Sequence, residues 1–99
     1  MDDAEQVEIY KGMLTAIVQR FIKLMGEPAL SRARRVGGLQ VGNDGSVTRY
    51  EGEGWVMLMG LTIEYQNLLG REAVTIINRT INLSSNEGKH KVKLPSILS

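Results

Sequence analysis

The chain has no cysteine among its 99 residues, a single histidine and a single tryptophan. Without cysteine there is no disulfide, no thiolate metal site and no thiol nucleophile. One histidine, His90, cannot form a pair or a triad, and among Lys89, Lys91 and Lys93 it reads as a solvated side chain. Aromatic residues make up only 5% of the chain, which leaves little surface for stacking single-stranded bases. No apolar run approaches the roughly 18 residues that span a bilayer. The opening Met1-Asp2-Asp3-Ala4-Glu5 is acidic where a secretory signal is basic. These absences predict a cytoplasmic protein with no membrane partner, no metal and no cofactor.

Net charge is also scarce, at +1, and it is unevenly placed. Asp2, Asp3, Glu5 and Glu8 open the chain, Arg32, Arg34 and Arg35 cluster in the middle, and Lys89, Lys91 and Lys93 follow near the end. Complementarity between the ends of one small fold explains this pattern more simply than a nucleic-acid contact does. No catalytic residue is assigned. Glu51 and Glu53 lie among glycines rather than in the fixed, unequal environments that acid/base pairs need. The glycines between 37 and 54 do not lead from a strand into a helix with phosphate-binding spacing.

What the chain does contain is a pattern that occurs twice. Residues 21–30, FIKLMGEPAL, can be laid without a gap on residues 65–74, YQNLLGREAV, an offset of 44. Upstream, Met13, Leu14 and Ile17 meet Met57, Leu58 and Leu61, and downstream Ala33 meets Ile77. Self-similarity of this kind marks supersecondary units that need one another to bury their apolar faces.

Apolar residues from Val7 to Met25 recur at steps of three and four and predict a helix over about 3–25. Gly26 supplies positive φ at its end, and Pro28 suits the first turn of a short second helix whose buried side is Ala29, Leu30, Ala33 and Val36. Leu39–Gly42 and Val47–Tyr50 flank Asn43-Asp44-Gly45-Ser46 and predict a β-hairpin. With Asp44 and Gly45 central to a type I′ turn, Leu39 falls opposite Tyr50 and Val41 opposite Thr48. Residues 55–69 form a third helix, apolar around much of its circumference and so expected at the centre of the fold. Gly70 ends it as Gly26 ends the first, and a fourth helix follows from Arg71 to about Leu83. Its β-branched residues also suit a strand, but the match to the first half favours a helix.

The expected fold is therefore α+β and predominantly helical, with two similar helix-Gly-helix halves of about four helices joined by a central β-hairpin. One domain covers 1–99: a helical unit at 3–36, the hairpin at 39–50, a second helical unit at 55–83 and an extended basic tail at 88–99. The functional expectation is a small noncatalytic interaction or regulatory domain that binds a protein partner or forms a homodimer through apolar residues in excess of one core, namely Trp55, Ile63, Ile76 and Ile81. The alternative is a nucleic-acid-binding protein. The segment from Val18 to Val36 superficially resembles a helix-turn-helix, and Arg32, Arg34 and Arg35 with Lys89, Lys91 and Lys93 would form its electrostatic footprint. A small ligand between the halves is a third class, without convergent polar groups to favour it.

Overall fold

The computed structural model describes residues 3–88, with side-chain environments for residues 4–82. Four helices and a two-stranded antiparallel hairpin follow in the order α1 (Asp3–Met25), α2 (Glu27–Ala33), β1 (Leu39–Val41), β2 (Val47–Tyr50), α3 (Gly54–Leu69) and α4 (Arg71–Gly88). The fold is α+β and predominantly helical.

The periodic residues of the first helix form its packing face. Tyr10, Met13, Leu14, Ile17, Val18 and Phe21 are buried, while Val7 and Leu24, at the two ends of the same stripe, remain in water. The helix stops at Gly26, whose φ of 73° is disfavoured for residues with a Cβ. Gly70, at φ 66°, stops α3 in the same way. The backbone hydrogen bonds at the two breaks also correspond: Gly26 N–H donates to Ile22 O and Gly70 N–H to Gln66 O, both at 2.7 Å. On the far side, Ala29 N–H donates to Gly26 O at 3.0 Å and Ala73 N–H to Gly70 O at 3.1 Å.

One core joins all the elements, running from Met13, Ile17 and Phe21 of α1 through Ala29 and Ala33 of α2 to Leu58, Leu61 and Tyr65 of α3 and Ala73, Ile77 and Ile81 of α4. Helix α1 packs on α2, α3, α4 and β2, whereas α3 packs mainly on the other three helices. The central element is thus α1 and not α3. Apolar composition around α3 exceeds what its neighbours cover, and the remainder faces water. Helix α4 continues through Ser84 to Gly88, beyond the end expected near Leu83. Apart from Gly88, the expected extended tail lies outside the described residues.

The hairpin register is shifted by an irregularity between Gln40 and Val41. Leu39 pairs with Tyr50 and Gln40 with Arg49, but Val41 pairs with Val47 and not Thr48. The turn accounts for the difference. Gly45 N–H donates to Gly42 O at 3.0 Å, placing Asn43 and Asp44 at the turn centre, and Gly45 follows in the left-handed region at φ 87°. This is the three-residue hairpin loop with its bulge rather than the two-residue type I′ form. The tip rests on α1: a Cβ on Gly45 would lie 2.7 Å from Ile22 Cδ1 and 3.1 Å from Gln19 Cγ. Thr15 Oγ1 accepts from Val47 N–H at 2.9 Å, and Gln19 Nε2 donates to Asp44 O at 3.3 Å.

Candidate functional site

Helix α3 has one side that no other described element covers. Trp55 is 44% exposed, Val56 42% and Ile63 51%, with Met59 and Gly60 half-buried between them. Steps of three and four from Val56 through Met59 and Gly60 to Ile63 align these residues along one face. Next to them, the turn after α2 closes off an open hollow of about 320 Å³ lined by Arg35, Val36, Gly37, Val56, Met57, Gly60, Ile63 and Glu64. Gly60 sets its depth. A Cβ there would lie 2.8 Å from Val36 Cγ1, so the glycine lets Val36 press against the helix.

Charge at the hollow is organised by Glu64, whose side chain is mostly buried. Its Oε1 accepts from Arg32 Nη1 at 3.4 Å and lies 3.7 Å from Arg35 Nε. Arg34 points elsewhere: its Nε and Nη2 donate to Val41 O at 3.3 and 3.2 Å, and Nη2 also reaches Asn43 Oδ1 at 2.8 Å. The three arginines therefore do not form one free cationic surface. Two are held by a carboxylate on α3 and the third ties α2 to the hairpin. Lys89, Lys91 and Lys93 lie outside the described residues.

Of the apolar residues expected at an interface, the fold brings Trp55 and Ile63 to the surface of α3. Ile76 is half-buried against the core, and Ile81, at 1% exposure, lies inside it and offers no surface in the folded chain. Periodicity accounts for the error at Ile81: it falls one helical turn beyond Ile77 and two beyond Ala73, on the face that α4 turns inward. Val56 faces water beside Trp55, and nothing in the sequence singles it out from the other apolar residues of α3.

The remaining polar groups are accounted for structurally. Among the described residues no buried side-chain nitrogen or oxygen lacks a partner, and no group of three or more metal-type ligands occurs. Tyr65 is buried with its hydroxyl donating to Ala29 O at 2.9 Å, and burial raises its pKa. Tyr10 and Tyr50 are also raised, first by burial, with Glu53 adding to both. Asp44 is lowered because it accepts from Ser46 N–H and from the Ser46 hydroxyl, each at 3.0 Å. Among the described residues no helix is long and apolar enough to cross a membrane. No family model matches the chain, and comparison with curated proteins and with solved structures found no match.

Proposed function

We propose that the chain is a small noncatalytic protein-interaction or regulatory domain of the cytoplasm, with self-association into a homodimer as one form of that activity. The observation that carries this reading is the joint exposure of Trp55, Val56 and Ile63 beside an open hollow. Contiguous exposed apolar surface with a polar rim is the usual sign of an interaction site on a small domain. Arg35 and Glu64 supply such a rim.

The nucleic-acid reading has less support, because Arg34 is engaged with the hairpin and Arg32 and Arg35 share one carboxylate. Affinity capture from native lysate, with and without nuclease, separates the two. The expected result is a nuclease-resistant protein, or the chain itself, whose recovery is lost with Ile63→Asp. Ile63 is half in water, so this change leaves the core intact. Bound nucleic acid that is released at raised salt would overturn the reading in favour of the arginines.

A further inference from the structure

The side of α3 that the other described elements leave open is complementary to itself. We propose that it binds a second copy of this chain, with the two α3 helices antiparallel about a twofold axis that crosses them between Met59 and Gly60. This rests on the reading of α3 as an interaction surface and names its partner.

The first observation is the order of the stripe. Val56, Met59, Gly60 and Ile63 are separated by steps of three, one and three, which read the same in both directions. An antiparallel copy therefore sets Val56 opposite Ile63 and Met59 opposite Gly60, each contact occurring twice, as a twofold interface requires. At the centre a long side chain meets a glycine. Gly60 borders the hollow together with Val56 and Ile63, so Met59 of each copy enters the hollow of the other.

The second is charge, and both signs lie on one flank of α3. Beside the hollow, the Arg32 and Arg35 guanidiniums share the single Glu64 carboxylate, which leaves one positive charge in excess. Arg35 is the accessible member, with 64% of its side chain in water. Just before α3, Glu51 and Glu53 are exposed, and neither has a cationic partner among the described residues. Glu51 belongs to the flank of the hollow. Its N–H donates to Gly38 O at 3.0 Å, and the adjoining Gly37 lines the hollow with Arg35.

A twofold axis perpendicular to α3 keeps this flank on the same side and reverses its direction. The acidic end of each copy then faces the basic end of the other. With Val56 opposite Ile63, Glu53 stands level with Gln66 of the second copy, about 3 Å along the axis from Glu64 and within the reach of an arginine side chain. A parallel pair brings the two acidic ends to one level and lacks this complementarity.

Reciprocal charges allow a test by mixing. The full chain is followed by sedimentation equilibrium over a concentration series, unaltered, as Arg35→Glu and as Glu51→Lys/Glu53→Lys. All three positions are exposed, so the helical circular dichroism should be unchanged. The expected result is a dimer for the unaltered chain and a dissociation constant raised by about tenfold or more for each variant alone, because like charges then meet at both ends. An equimolar mixture of the two variants should recover the dimer, since the mixed pair has opposite signs at both ends. Emission from Trp55, the single tryptophan and exposed beside Val56, should move to shorter wavelength on association. A chain that stays monomeric at every concentration overturns the proposal, as does a dimer that neither variant weakens or that mixing does not restore. If the chain is monomeric while Ile63→Asp still abolishes capture of another protein from lysate, the interaction reading stands and only the second copy fails. If Ile63→Asp changes neither association nor capture, both fail.

Discussion

The rings of Phe21 and Tyr65 stack with centroids 4.1 Å apart and planes 12° from parallel, joining α1 to α3 at positions that are equivalent in the two matched segments. Both side chains are fully buried, and the Tyr65 hydroxyl extends the contact by donating to the Ala29 carbonyl of α2. Three helices are thus fixed at one point. Phe21→Ala should cost about 3–5 kcal/mol in denaturant unfolding, through lost burial and the cavity left behind. Tyr65→Phe should cost about 1 kcal/mol, because only the hydrogen bond is lost.

Tyr65 also gives the protein an alkaline limit. Its pKa is raised in the folded state, so its contribution is complete below the unfolded tyrosine pKa of about 10 and is lost as pH rises toward the folded value. Tyr10 and Tyr50 act in the same direction. Stability measured by denaturant midpoint should fall above about pH 10, and Tyr65→Phe should flatten that decline. An identical slope in the variant would assign the alkaline loss to other groups.

At the two helix breaks, with φ 73°, ψ −141° at Gly26 and φ 66°, ψ −142° at Gly70, Gly26→Ala and Gly70→Ala should each destabilise by about 1–3 kcal/mol. Both positions have positive φ and nothing within 4 Å of a new Cβ, so the cost is backbone strain alone and should be nearly equal. Gly54→Ala tests a different mechanism. Its φ is not positive, but a Cβ there would overlap the Tyr10 ring, so overpacking of about 1–3 kcal/mol is expected. Thermal unfolding of the three variants, measured side by side, separates strain from overlap.

Arg34→Ala should loosen the hairpin without unfolding the helices. It removes the donors to Val41 O and Asn43 Oδ1. Amide hydrogen exchange should quicken at Gly42 and Gly45 while α1 is unchanged. Arg35→Ala, by contrast, removes a longer and more exposed contact to Glu64, and a change below about 1 kcal/mol is expected.

The depressed Asp44 pKa is held down by its two bonds from Ser46. A lowered carboxylate contributes above its unfolded pKa and stops contributing as pH falls through the folded one. Ser46→Ala removes the hydroxyl donor, so the Asp44 titration followed by NMR should move upward. No movement would mean that the backbone bond alone sets it.

Much of this architecture was legible in the residues. Gly26 and Gly70 fall at the breaks, Pro28 falls in the first turn of α2, and Ala29, Leu30 and Ala33 are buried as their spacing requires, whereas Val36 is buried beyond the end of α2 at Ala33. These are local properties: periodicity selects a face, and a glycine with positive φ ends a helix wherever it sits. The β-branched α4 was ambiguous on propensity, and its match to the first half led to the right state.

The candidate site was only half legible. Trp55, Ile63, Ile76 and Ile81 are equally apolar in the sequence, yet the first two face water while Ile81 is sealed in the core. Periodicity sets Ile81 on the inward face of α4 with Ala73 and Ile77, but no local rule fixes the exposure of Trp55 and Ile63, which depends on which neighbour arrives. The hairpin covers α1, and no described element covers the outer side of α3. The arginines behaved likewise. A run that read as one cationic cluster is divided by the turn of a helix, sending Arg34 to the hairpin and Arg32 and Arg35 to Glu64.

The sequence by itself determined that helices broken at Gly26 and Gly70 lie on either side of a hairpin, and that these 99 residues hold no thiol and no histidine pair. Chain-local torsions and side-chain inventory suffice for those. Only the tertiary structure decided the exposure of Trp55 and Ile63, the central place of α1, the partners of the three arginines and the open hollow on α3. Each depends on contacts between residues far apart in the chain, and a surface exists only where such contacts are missing.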